Sequence, residues 1–352
     1  MSKLETEGLT CDALPNLKIK CNVCLICGDN LGLNSLMGII ESFGGSYFCR
    51  HCLAHKHESS FVCDANAVTL RNKNNYEIHL TESRLVKKPV LGVKETCIFN
   101  DLQYFSFPDN ASVDVMHDVL EGVAPREVKL FLEFFVSENP HLKETISNRI
   151  LSFNYGDLNE SNRPSGISFD KSDIKISQSA SQMWCLITYL PLIMSDLIRT
   201  PEEIRKWRVI ILLLKIMDII FAPKITSGMI SYLRVLIEEH HEIFLTEFFP
   251  HTLSPKQHNL IHYPDVILKL GPPILYWCMR FEALHQWFKD TCRKTGNYIN
   301  VDKHWQKNTK ILWTGFGQIS SSPSKLIMEK VLWSLFKITN TVMQYLLNCN
   351  CH

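Results

Sequence analysis

Tyr47-Phe48-Cys49-Arg50-His51-Cys52 and, far downstream, His258-Asn259-Leu260-Ile261-His262 are the two short stretches on which the reading of this chain turns. The first is a CxxC pair and the second an HxxxH pair. Two thiolates and two imidazoles at these spacings can close a tetrahedral zinc site, and residues four apart share one face of a helix. Neither half is specific alone, because a chain with 13 cysteines contains incidental CxxC pairs.

The surroundings add information. Asp29 precedes Cys49 by 20 residues, and His262 precedes Glu282 by the same interval. Each half of the metal site therefore has an acidic neighbour in sequence. Asp29 follows the apolar run Val23-Cys24-Leu25-Ile26-Cys27, which has the length of a strand and ends at Gly28. A zinc clamp between the halves would tie a strand-end carboxylate to one on a helix. Two carboxylates brought together bind Mg²⁺ or Mn²⁺, hard ions that prefer oxygen ligands and serve phosphoryl displacement.

The order acidic residue, CxxC, long helical segment, HxxxH, acidic residue resembles the CACTA/EnSpm, Mirage and Chapaev group of DDE DNA transposases, and the related catalytic core of the V(D)J recombinase. The likeness runs over roughly residues 20–295. It is carried by Ile26-Cys27-Gly28-Asp29, the CxxC segment, Asp114-Val115-Met116-His117-Asp118, the HxxxH segment and Trp277-Cys278-Met279-Arg280-Phe281-Glu282. The resemblance implies that Asp29 and Glu282 are the second and third catalytic carboxylates, holding Mg or Mn. It implies zinc on Cys49, Cys52, His258 and His262, and DNA strand cleavage and transfer as the reaction. The implied fold is α+β, mostly α: a partial RNase H-like core interrupted by a large helical insertion.

One departure bears on activity. The family's first catalytic Asp lies on an earlier strand, and the sole Asp before Asp29 is Asp12, in Thr10-Cys11-Asp12-Ala13-Leu14-Pro15. That context does not read as a first strand. The expectation is a degenerate or N-terminally truncated core, with a non-catalytic zinc-stabilised DNA- or protein-binding domain as the alternative.

Along the chain, residues 1–65 are expected to hold partial core strands and the CxxC segment, and 66–250 a mainly helical insertion. Residues 251–320 should carry HxxxH and the Glu282 helix, and 321–352 a C-terminal helix. Apolar periodicity predicts helices over 113–135, with a break at Gly122 and Pro125, and over 183–197, 207–221, 229–248 and 281–293. Residues 154–179 read as an exposed loop.

Simpler readings stand beside these. Asp29 can cap a turn, and Glu282 can be a first-turn helix acid favoured by the dipole. Cys21 and Cys24 with Cys49 and Cys52 form a rival four-Cys zinc pattern, with His55, His57 and Cys63 as further local ligands. Asp114 can be an N-terminal helix residue, with His117 beside it structural or near an active site. Trp184 and Trp207 read as core.

Bulk composition is neutral. With 37 basic and 36 acidic side chains the formal charge is +1, so any DNA contact must come from a local patch. Lys289, Arg293, Lys294, Lys303, Lys307 and Lys310, interleaved with Trp287, Tyr298 and Trp305, form the best one. DNA is the expected partner, and a homodimer is open. The start lacks a secretory pattern, and the most apolar run, 209–221, is interrupted by Lys215 and Asp218. A soluble nuclear or cytoplasmic protein, neither secreted nor membrane-bound, is expected.

Overall fold

The computed structural model describes residues 2–11, 14–169 and 174–295. The described chain divides into two compact units. The smaller contains the one-turn helix Ser2–Thr6 and an antiparallel hairpin of β1 (Leu9–Cys11) and β2 (Leu14–Ile19). Within it the buried Glu5 carboxylate accepts a bond from the Gln103 amide at 2.9 Å. This unit also takes in Phe99–Phe105 and, of the described residues, 279–295.

The larger unit, Leu25–Ile98 with Ser106–Cys278, is built on helices. They are α1 (Asn30–Leu36), α2 (Lys73–Val86), a π-helical segment (Met116–Val123), α3 (Ala124–Glu138), α4 (Lys143–Ser152), α5 (Ala180–Met194), α6 (Pro201–Ile220), α7 (Ser227–Glu247), α8 (Pro255–Leu260) and α9 (Tyr263–Leu270). A final helix, α10 (Cys278–Thr295), begins at the end of this unit. Besides β1 and β2, the described residues hold one more hairpin, β3 (Ser168–Phe169) with β4 (Ile174–Lys175).

The helices expected from periodicity form. Thr200 opens α6 through a capping box with Glu203, and Pro201 fills the first turn, where its missing N–H costs nothing. Helices α6 and α7 make a helical hairpin. Along α7 the buried positions Ile230, Leu233, Ile237 and Phe244 recur at the helical repeat. His240 and His241 fall on the same buried face. Phe131 of α3 packs on Trp207 of α6 at 4.8 Å between ring centroids. Trp184 of α5 stacks on Phe221 at 4.7 Å. Both tryptophans are core-packing residues, only partly covered.

The break expected at Gly122 and Pro125 is a π-helical turn, closed by the Ala124 N–H on the Val119 carbonyl, with Glu121 off helical geometry. A Cβ on Gly122 would lie 2.3 Å from Lys256 Cδ, so the Lys256 side chain of α8 lies over the bare glycine.

Two expectations change. Residues 23–27 do not form a strand: Ile26 alone makes a parallel bridge, to Ala111, and the turn after it leads into α1. No sheet of more than two strands occurs among the described residues. Residues 154–179 are not wholly irregular, since they contain a 3₁₀ segment (Asp157–Asn162) and the β3–β4 hairpin. Asp12 and the C-terminal helix expected in 321–352 lie outside the described residues.

Candidate metal centre

Cys49 and Cys52 sit in an irregular loop that other side chains shape. Asn34 Nδ2 donates to the Ile40 and Phe48 carbonyls at 2.9 and 3.2 Å. Arg71 Nε donates to the Cys49 carbonyl at 2.9 Å, and the Arg71 amide to the His51 carbonyl at 2.8 Å. Gly92 has φ +88°, and a Cβ there would strike the Tyr47 carbonyl oxygen at 2.2 Å. The loop therefore packs on glycine backbone.

The histidines are not carried by one regular helix, as the spacing alone implies. His258 lies in α8 and His262 at the junction with α9, where the Ile261 and His262 amides bond three residues back. Pro264, with no N–H, cannot continue the ladder to Leu260, so the helix restarts here. The tight turn still brings both rings to one side, with centroids 5.2 Å apart.

The four residues converge. Cys49 Sγ lies 3.5 Å from His262 Nε2, and Cys52 Sγ 3.3 Å from His258 Nε2. All four ligand atoms lie within 4.8 Å of one another, and all four residues are buried. Zinc bonds of ~2.3 Å to sulfur and ~2.0–2.1 Å to nitrogen give tetrahedral edges of ~3.6 Å between S and N, so the group has the dimensions of a zinc site. The His51 amide points at Cys49 Sγ at 3.4 Å, a donor suited to thiolate.

Electrostatics favour the same reading. Burial pushes the Cys49 thiol up, but the hydrogen bond from Cys52 and the two imidazoles outweigh it and hold Cys49 well below the ordinary thiol value. Cys52, donating to Cys49 and itself buried, is pushed up. A metal ion entering here displaces that remaining proton. Burial, with Arg50 beside it, keeps His51 neutral.

A buried polar relay joins the two halves. Arg50, inside CxxC, donates to Asn30 Oδ1 at 2.7 Å and to the Ser112 carbonyl. Asn30 donates to Asp118 at 2.8 Å, and Asn259, inside HxxxH, donates to the same carboxylate at 3.1 Å. Tyr263 completes the set on the second Asp118 oxygen at 3.1 Å. Burial raises the Asp118 carboxyl, while Arg50 and the asparagine donors act the other way.

A second relay fixes α8 on the helical layer. His241 Nε2 faces the Gln257 carbonyl at 2.9 Å, the two Nδ1 atoms of His240 and His241 lie 3.0 Å apart, and His240 Nε2 lies 3.0 Å from Glu127. Gln257 Nε2 returns to Glu127 at 2.8 Å. Sequence reasoning missed both relays, whose only advance signal is polar residues at apolar-repeat positions, His240 and His241 above all.

The other site residues fare differently. Asp29 is exposed and caps α1, its Oδ1 accepting from the Gly32 amide at 2.6 Å. Glu282 is exposed in the first turns of α10. Asp29 belongs to the larger unit and Glu282 to the smaller. Asp114, His117 and Cys278 also gather within 4.8 Å. Asp114 is committed, however: one oxygen accepts from the Cys278 amide at 2.8 Å and the other contacts His117 Nδ1, which fixes the start of α10. Burial and the Asp114 charge push the Cys278 thiol up.

Cys21 and Cys24 join no metal-ligating group among the described residues, and neither do His55, His57 and Cys63. Arg293 is exposed and pairs with Asp290 at 3.4 Å. The side chains of Lys289 and Lys294, and the whole of Lys303, Lys307 and Lys310, lie outside the described residues. No helix among the described residues is long and apolar enough to cross a membrane.

Compared with known proteins, the chain matches no family model, and no curated protein is significantly similar to it.

Proposed function

We propose that this chain is a zinc-braced core of DDE-transposase ancestry that acts on DNA. The observation that carries the reading is the buried group of Cys49, Cys52, His258 and His262. It joins the two segments that, in sequence, flank Asp29 and Glu282. In this reading zinc is structural, held by four protein ligands in a closed site. Asp29 and Glu282 would be the carboxylates offered to Mg²⁺ or Mn²⁺, ions that would supply activation of water or a 3′-hydroxyl for strand cleavage or transfer. DNA is the partner, with Arg293 in its binding stretch.

A second reading has its own support. The Asp29 carboxylate already caps α1 through Gly32, a structural role that needs no ion. That favours a non-catalytic zinc-stabilised domain that binds DNA or protein.

Nicking of supercoiled plasmid with Mn²⁺ separates the two. Metal-dependent nicking that is lost in Asp29→Ala and Glu282→Ala, with zinc content unchanged, supports the catalytic reading. Retained binding of a labelled duplex without nicking supports the second. Absence of both nicking and duplex binding sinks the assignment to DNA.

A further inference from the structure

Asp114 and His117 stand three residues apart at the start of the π-helical segment, and Cys278 is the first residue of α10. All three lie in the larger unit, and one ligand atom from each falls within 4.8 Å of the others. The set is a carboxylate oxygen, an imidazole nitrogen and a thiol sulfur. The Cys278 amide, donating to Asp114 Oδ1 at 2.8 Å, brings the thiol in from 164 residues away. The second Asp114 oxygen accepts from the His117 amide at 3.2 Å and meets His117 Nδ1.

The Asp114–His117 contact joins two ligand atoms directly, as Cys49–His262 and Cys52–His258 do at the four-residue centre. An ion would replace that contact, while the two backbone donors kept Asp114 in place, since each carboxylate oxygen has two lone pairs. Charge points the same way. Asp114 is 1% exposed, and its one ion-pair partner among the described residues is His117, charged only when protonated. A divalent ion with the Asp114 carboxylate and a Cys278 thiolate makes a neutral set without that proton. Behind the ring, His117 Nε2 faces the Glu121 carboxylate at 4.0 Å. A carboxylate behind the imidazole is the usual outer support of a ligating histidine. The His117 side chain is 18% exposed, so an ion reaches the group from the imidazole side.

We propose that Asp114, His117 and Cys278 bind a divalent transition metal of the zinc and cobalt type, with a fourth position left to water. One oxygen, one nitrogen and one sulfur suit such borderline ions and not Mg²⁺. Three protein ligands with an open position is the arrangement of metal centres that polarise a bound water, whereas four ligands close a structural one. Three ligands hold an ion less tightly than four, so this site fills from added metal and the four-residue centre fills first. The inference rests on neither Asp29 nor Glu282 and goes beyond the transposase reading.

The test is equilibrium dialysis of Co²⁺ against the zinc-loaded full chain, with absorption and zinc content read together. About one equivalent of cobalt should bind with zinc retained, and a thiolate-to-cobalt charge-transfer band should appear. Cys278→Ser should abolish the band, and both it and His117→Ala should weaken cobalt binding about tenfold or more. Cys278 is buried and its replacement can unfold the chain, so His117→Ala, at a partly open side chain, serves as the second variant. The band separates this site from Asp29 and Glu282, which offer oxygen alone. Cobalt that instead replaced zinc at the four-residue centre would give a band with zinc released and no dependence on Cys278. That result, the absence of a band, or an affinity within about twofold in folded His117→Ala overturns the proposal and leaves Asp114 as a structural cap.

Discussion

Asn30 donates to Asp118 at 2.8 Å, and through that one bond the cysteine segment reaches the histidine segment. Arg50 lies on one side of the relay and Asn259 on the other, each inside its own ligand pair. The four candidate metal ligands are thus placed from behind by a network of direct hydrogen bonds. Preorganised ligands give a metal site its geometry, and second-layer groups hold them there.

Zinc content follows directly. The purified chain should carry about one zinc ion, lost in Cys49→Ser and His258→Ala and kept in Cys21→Ser. Chelation should lower the melting temperature by about 10 °C, the equivalent of a few kcal/mol in a domain of this size. Elemental analysis with a thermal melt reads both. Zinc retained in His258→Ala and lost in Cys21→Ser would return the site to the four-Cys pattern.

Asp118→Ala should be among the most damaging changes outside the ligands. It leaves the buried Asn30, Asn259 and Tyr263 donors without an acceptor, at a cost of about 3 kcal/mol or more. Tyr263→Phe alone should cost about 1 kcal/mol, and adding it to Asp118→Ala should cost almost nothing further, because the bond is already gone. Urea denaturation of the four-member cycle decides the point.

Proton bookkeeping in the second relay makes a sharper prediction. His241 must donate from Nε2 to the Gln257 carbonyl, so its neutral ring accepts at Nδ1 and His240 donates there. The Glu127–His240 contact then needs one further proton. A glutamine at position 127 can donate to His240 Nε2 and accept from Gln257, so Glu127→Gln should cost under about 1 kcal/mol. Glu127→Leu strands both partners and should cost about 3 kcal/mol or more. Equal losses in the two variants would reject this proton assignment.

Stability should fall in acid through His241. Burial first, and the adjacent His240 second, lower its pKa to about 3, against about 6.5 for a free imidazole. Between those values the unfolded chain binds the extra proton and the folded chain does not, so stability rises with pH across that window. The contribution is complete above about pH 6.5 and is lost as pH falls toward 3, amounting to as much as about 5 kcal/mol. His241→Gln should flatten that part of the stability–pH curve.

The metal ligands are legible in the sequence because thiols and imidazoles in close pairs carry their chemistry with them. The long helices are legible because α6 and α7 bury a repeating apolar face and start at Thr200 and Thr226, residues that cap. Residues 23–27 mislead because a short apolar run fits a strand and a buried loop equally. HxxxH misleads more subtly: spacing indicates one helical face, and only Pro264 hints that the helix restarts between the rings. The relays on Asp118 and Glu127 could not be read in advance. Asn30, Asp118 and Asn259 are ordinary polar residues, and their burial is decided by partners far away in sequence.

The Cys52–His258 contact joins residues 206 apart. During synthesis at roughly 5–20 residues per second, the cysteine pair leaves the ribosome about 10–40 s before the histidine pair. For that interval the thiols exist without their partners, and they acquire them only after the intervening helices have been made. Capture of a metal by all four residues would therefore report completion of the helical layer: a nascent chain holding such an ion would be one whose intervening helices had already been made.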